Sequence, residues 1–172
     1  MTTIERITQV LSQHGNGITD PQVDPEGYVH AQLANGIDSD RPYNLVVHPI
    51  EQKQVLRVWV LGISKVRRES GVPLALSRAN ASLRYGRASV TSDGEIQFQI
   101  NHLYMPGDEA HLTAEVLGRL LDEAVCATRH IERTVLYGQM IDAGIPVSRA
   151  RTIMKALFQE PAESQVTGNE TL

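Results

Sequence analysis

Hydrophobic and polar positions follow two different rhythms along this chain, and the changes of rhythm divide it into elements. Ile4, Ile7, Val10 and Leu11 fall on one stripe at helical period. Thr2 stands three residues ahead of Glu5, the spacing at which a threonine and an acid cap a helix start reciprocally. A first helix is therefore expected, ending at His14-Gly15. The next stretch, NGITDPQVDPEG, is dense in Asn, Gly, Asp and Pro and reads as loop. The rhythm then shortens to two. YVHAQL alternates Val29, Ala31 and Leu33 with polar partners, YNLVV sets Tyr43, Leu45 and Val47 on one side, and QVLRVWVLGI is apolar on both faces around Val58 to Leu61. Pro42 and Pro49 bracket the middle strand, as expected of a residue with no ladder donor.

GVPLALSRANASLRYG returns to helical period. Pro73 suits the first turn and Gly86 the left-handed position past the end. Leu76, Ala79, Asn80 and Leu83 share the inward face, so the Asn80 amide needs a partner, and a backbone bond to a neighbouring loop or strand end is expected. The following hairpin has one self-consistent register. With Ser92-Asp93-Gly94 as a three-residue loop and Gly94 in the left-handed position, Val90 meets Ile96 and Ala88 meets Phe98. All apolar side chains then share a face with Ile100, and Glu95, Gln97, Gln99 and Asn101 take the solvated one. From about Thr113 a long helix carries a broad apolar stripe through Val135, extending to Met140 or breaking at Gly138. After DAGIP a last helix places Val147, Ala150, Ile153, Met154 and Leu157 on one side.

These elements predict an α+β fold: an antiparallel sheet of about five strands in helix-strand-strand-strand-helix-strand-strand-helix order, with an additional C-terminal helix. Residues 1–159 are expected to form one domain and 160–172 a disordered tail.

NASLRYGRASVTSDGEIQFQI, with its helical asparagine, Arg-aromatic-Gly-Arg exit and Asp-Gly hairpin, is followed by LTAEVLGRLLDEAV opening the long helix. Over residues 72 to 137 this pattern resembles the YbjN family, with Ser77 where the family often has a further asparagine. The resemblance implies a fold like that of type III secretion chaperones. It also implies a non-enzymatic homodimer that binds a segment of a partner protein as a chaperone or regulator.

Composition narrows the rest. The chain has 172 residues, 41% hydrophobic and 21% charged, ordinary values for a globular protein able to bury its own core. A single cysteine, Cys126, forbids an internal disulfide framework, no leader opens the chain and no apolar run spans a bilayer, so a cytoplasmic location away from membranes is expected. The net charge of −4 disfavours unspecific nucleic-acid binding. Lys65, Arg67, Arg68, Arg78, Arg84 and Arg87 nevertheless face only Glu69 within one stretch. That basic run is a solvated face or a docking site for an acidic partner or a phosphate backbone; nucleic acid is the alternative reading, with only Tyr85 nearby to stack on bases.

Reactive chemistry finds little footing. No His-x-His, His-Glu-x-x-His or Cys-x-x-Cys spacing suggests a metal. His102 and His111, flanking MPGDEA with Asp108 and Glu109, read as ordinary histidines. Asp20, Asp24 and Glu26 lack the ligand alternation of a calcium loop. Cys126 has only His130 as a base one turn away. No catalytic residue, metal or cofactor is therefore expected. The candidate partner-binding or dimer surface is Val58, Trp59, Val60, Leu61 and Ile63, since Trp59, Leu61 and Ile63 alternate with Leu56, Val58 and Val60 and one core needs only one set. Either the last helix covers the second set or something outside the monomer does.

Overall fold

The computed structural model describes residues 2–15, 17–34, 41–65, 72–104 and 112–158. Its elements run α1 (Thr3–Gln13), β1 (Ile18–Val23), β2 (Val29–Leu33), β3 (Tyr43–Ile50), a 3₁₀ turn (Glu51–Lys53), β4 (Val55–Lys65), α2 (Val72–Ser82), β5 (Arg87–Val90), β6 (Glu95–Leu103), α3 (Ala114–Asp142) and α4 (Val147–Leu157). The six strands form one antiparallel sheet in the order β1-β2-β3-β4-β6-β5. Thr2 caps α1 as its spacing predicts, its hydroxyl accepting from Glu5 N–H while the Glu5 carboxylate accepts from Thr2 N–H.

One strand more than expected is present. β1 lies in the stretch read as loop: its pairing with β2 shifts register between Thr19 and Gln22, and Asp20 sits at φ +55°. Pro21 and that bulge break the alternation that marks a strand in sequence. An edge strand tolerates both, because it has a ladder on one side only. Pro49 also lies inside β3, opposite Leu56, instead of bounding it. β2 pairs with β3 only as far as Val47, so at Pro49 that side of β3 is already an edge.

Every described helix that touches the sheet covers the same face. Ile7, Val10 and Leu11 of α1 and Leu117, Leu121, Val125 and Ile131 of α3 bury Val29, Leu45, Val47, Leu56, Val58, Val60, Ile96, Phe98 and Ile100. Each such side chain contributes roughly 1.5–3 kcal/mol by leaving water. α3 runs unbroken through Gly138 to Asp142. α4 packs on α3, burying Ala150 while Val147 and Leu157 stay exposed. It therefore lies on the helical side of the molecule.

α2 ends at Ser82, and Gly86 acts four residues later, at the start of β5, with φ +78°. A Cβ there would stand 2.5 Å from the Gln99 carbonyl oxygen and 2.6 Å from the Phe98 ring. Gly86 is thus what lets the α2–β5 connection close on β6. The hairpin has the expected register, Val90 opposite Ile96 and Ala88 opposite Phe98, with Gly94 at φ +85°.

One buried ionisable group lies between layers. Glu132 of α3 is 5% exposed, and its Oε1 accepts a hydrogen bond from the Tyr43 hydroxyl of β3, while Oε2 has no partner among the described residues. Burial pushes the Glu132 carboxyl above its ordinary range; the Tyr43 bond and the charges of Arg129 and Arg133 pull back only part of that shift.

Candidate functional site: the outer face of the sheet

With all sheet-packing helices on one side, the register fixes what the other side presents. One row crosses β3, β4 and β6 as Ile50, Val55 and Leu103. The next is His48, Arg57 and Asn101, joined from the start of β2 by Tyr28. The third runs His30, Val46, Trp59, Gln99 and Arg87 from β2 to β5, and the fourth Gln32, Asn44 and Leu61. Apolar, aromatic and amide side chains thus occupy a face that no described helix packs upon.

These side chains are held in place by one another. Tyr28 stacks on His48 with ring centroids 3.9 Å apart, and its plane lies 16° from that of Trp59 at 6.4 Å. The Arg57 guanidinium sits over the Trp59 ring, 4.8 Å from its centroid, a cation–π arrangement. Trp59 Nε1 donates to Gln99 Oε1 at 2.9 Å, Gln99 Nε2 donates to Asn101 Oδ1 at 2.9 Å, and Arg57 Nε donates to the same oxygen at 2.9 Å. Gln97 Nε2 donates to Ser89 Oγ at 3.1 Å. The polar strand face that sequence alone assigns to solvent is therefore an ordered hydrogen-bonded array.

Burial lowers the His48 imidazole below its ordinary range; the nearby Arg57 charge lowers it further and Asp24 opposes both. His48 is thus neutral at pH 7 and stacks as an uncharged ring. Asp24 anchors the β1–β2 turn, accepting from Glu26 N–H and Tyr28 N–H and meeting His30 Nε2 at 3.0 Å. Desolvation raises its carboxyl, but the bonds from His30 and these two amides more than offset that, and its net shift is downward.

The predicted surface divides between the two faces. Trp59 and Leu61 lie half-buried on the outer face, and Val58 and Val60 lie in the core. Ile63, expected beside Trp59, is 5% exposed in the core, because the register of β4 shifts between Val60 and Ser64 at Gly62, whose φ is +73°. From Val60 to Ser64 the strand advances four positions while β6 advances two, from Phe98 to Ile96, and these two extra residues break the in–out alternation locally, turning Ile63 inward.

Both sheet edges are closed by local devices. β1 carries Pro21 and its bulge. On β5, Asn80 Nδ2 donates to the Ala88 carbonyl at 3.0 Å and Ala88 N–H donates to Asn80 Oδ1 at 2.8 Å. The asparagine amide thus fills the place that a neighbouring strand would take.

Of the basic run, Arg78, Arg84 and Arg87 are exposed on α2, on the α2–β5 connection and on β5. Lys65 ends β4 opposite Glu95, while Arg67, Arg68 and Glu69 lie outside the described residues, as do Asp108, Glu109, His111 and the 160–172 tail. His102 ends on β6 opposite Leu56. His130 turns from Cys126 to Ser82, its Nε2 3.0 Å from Oγ. The Ser82 hydroxyl also lies 2.8 Å from the Ala79 carbonyl, to which it donates. Among the described residues no group of three or more His, Cys, Asp or Glu side chains could hold a metal, and no helix is long and apolar enough to cross a membrane.

The sequence reading found Trp59 through its strand but missed Tyr28, His30 and His48, which meet it across two further strands. The family model that matches this chain, over residues 3–135, is YbjN, described as "Putative bacterial sensory transduction regulator". No curated protein and no solved structure matches it.

Proposed function

The chain belongs to the YbjN family, and from that premise we propose that it is a non-enzymatic regulatory adaptor whose outer sheet face binds a segment of a partner protein, with the chain acting as a homodimer. The observation that carries this reading is the unpartnered outer face itself. Trp59, Tyr28, His48 and Arg57 are ordered there by stacking and hydrogen bonds although no described helix needs them for packing. Ordered aromatic and arginine side chains lose little conformational freedom on association, which is why such groups dominate binding surfaces. Closure of both edges favours the face over strand addition as the mode of contact. The row of Ile50, Val55 and the 75% exposed Leu103 supplies apolar surface beside the array, suited to the partner or to a second copy.

Photocrosslinking in the native cell tests this. A photoreactive residue at Leu61 should trap one dominant protein, and the same residue at Arg119, on the exposed side of α3, should not. Equal patterns from the two positions would remove the outer face from consideration, and a monomer at every concentration in sedimentation equilibrium would remove the dimer.

A further inference from the structure

A cleft of about 380 Å³ opens on the outer face between β5 and β6, lined by Gly86, Arg87, Ser89, Gln99 and Asn101. What distinguishes it is the direction of its hydrogen bonds. Asn101 Oδ1 already accepts twice, from Arg57 Nε and Gln99 Nε2, and Gln99 Oε1 accepts from Trp59. Ser89 Oγ accepts from Gln97. The acceptors of the lining side chains are thus engaged from within the array. Left over among the described residues are the Nδ2 hydrogens of Asn101, the second hydrogen on Gln99 Nε2, the Ser89 hydroxyl hydrogen, the terminal nitrogens of Arg57 and the whole Arg87 guanidinium. No carboxylate lines the cleft among the described residues. By contrast, the cleft at the far end of the face, beside His48 and Ile50, is lined by Glu26 and Glu51.

Arg57 and Arg87 stand two strands apart and one row out of step, about 10 Å across the sheet and 7 Å along it. Their side chains flank the Gln99–Asn101 amides from opposite sides. A surface whose unused donors far outnumber its remaining acceptors, with positive charge at both margins, is complementary to an anion, and Arg87 offers the planar fork that fits a carboxylate.

Building on the proposed partner-binding role of the outer face, we propose that this cleft is a carboxylate subsite: it receives a glutamate or aspartate side chain of the bound partner segment, between Arg87 and the Asn101 amide. The segment recognised is therefore acidic. A nucleic-acid strand fits less well. Trp59 has a guanidinium on one ring face and Tyr28 has His48 on one of its own, which takes up surface that bases would stack on, and two arginines on a chain of net charge −4 neutralise few phosphates. Strand addition at Ala88 is blocked by Asn80.

The test titrates the full ¹⁵N-labelled chain with a C-terminally amidated decapeptide of alternating valine and glutamate. Its valine–glutamine counterpart and a ten-nucleotide thymidine strand serve as comparisons. The acidic peptide should shift the side-chain amide signals of Asn101 and Gln99 and bind at least fivefold more tightly than the glutamine peptide. Arg87→Gln should abolish that preference and Arg151→Gln on α4 should leave it unchanged, both variants melting with the parent. Equal binding of the two peptides, insensitive to Arg87, would overturn the subsite while leaving the outer face as a binding surface. Tighter binding of the thymidine strand through Arg87 would overturn it in favour of nucleic acid, and no shift at Asn101 or Gln99 with any probe would overturn it outright.

Discussion

Replacing Tyr43 by phenylalanine removes one hydroxyl, and the structure sets how much that should cost and how the cost should vary with pH. Glu132 is nearly sealed from water, and among the described residues the Tyr43 hydroxyl is its one hydrogen-bond donor. Burial holds its carboxyl above the unfolded value of 4.5. Between 4.5 and the folded value, the folded chain keeps a proton that the unfolded chain has released. In that window stability falls as pH rises, and it is fully present only below 4.5. Tyr43→Phe strips away the bond that stabilises the charged form, so the carboxyl moves further up and the window of falling stability widens. At pH 4, where the acid is mostly neutral in both states, the loss should be close to that of a neutral hydrogen bond, about 0.5–1.5 kcal/mol. Above the folded value, where the carboxylate is charged in both states, it should grow to roughly 1.5–3 kcal/mol, the worth of a bond to a charged group. For a chain of this size that corresponds to roughly 3–12 °C in Tm. Urea denaturation of parent and variant at pH 4, 6 and 8 measures both effects. Glu132→Gln, which has nothing to titrate, should remove the declining limb altogether. A Tyr43→Phe cost that is the same at pH 4 and pH 8 would show that the Glu132 environment is not as described.

Three further outcomes follow from the same geometry. Asn80→Ala should cost about 2 kcal/mol for its two backbone bonds, with Asn80→Leu worse because its branches keep water from the Ala88 peptide; both should raise association by light scattering as the β5 edge opens, and an Asn80→Leu variant as stable as the parent would contradict the bracket. Gly86→Ala should cost at least about 2 kcal/mol in thermal melts, since an alanine pays about 1–2 kcal/mol for the left-handed conformation and its Cβ would also meet the Gln99 carbonyl. His48 should titrate below 6.5 by NMR, and between that folded value and 6.5 stability should rise with pH, because there the unfolded chain alone holds the proton; His48→Phe should flatten that limb.

How much of this was legible in the sequence depended on the range of the interaction. The hairpin register and the Asn80 bracket rest on residues twelve apart or fewer, and periodicity and turn chemistry were enough to read them. β1 was missed because its bulge and Pro21 erase the alternation that identifies a strand, and the face of Ile63 because the left-handed Gly62 resets the count in a way that a strand pattern does not reveal. The outer array was hidden for a third reason. Tyr28, just ahead of β2, and His48, Trp59 and Gln99 of three further strands meet only because the strand order brings them into neighbouring rows. Gln97, Gln99 and Asn101 looked like solvated residues because composition cannot distinguish an amide bonded to water from one bonded to its neighbour.

The Asn80 bracket and the Tyr43–Glu132 bond also differ in when they can form. Asn80 and Ala88 are separated by 8 positions, Tyr43 and Glu132 by 89. Closing the first loop costs little chain entropy, so α2, β5 and β6 can assemble as a local nucleus; closing the second must wait until the sheet has recruited β3 and α3 has docked. Damage at Asn80 should thus slow the refolding rate, whereas damage at Tyr43 should leave refolding almost untouched and speed unfolding. The two polar contacts therefore guard opposite ends of the folding reaction: one helps the chain to find its structure, the other sets how long the structure lasts.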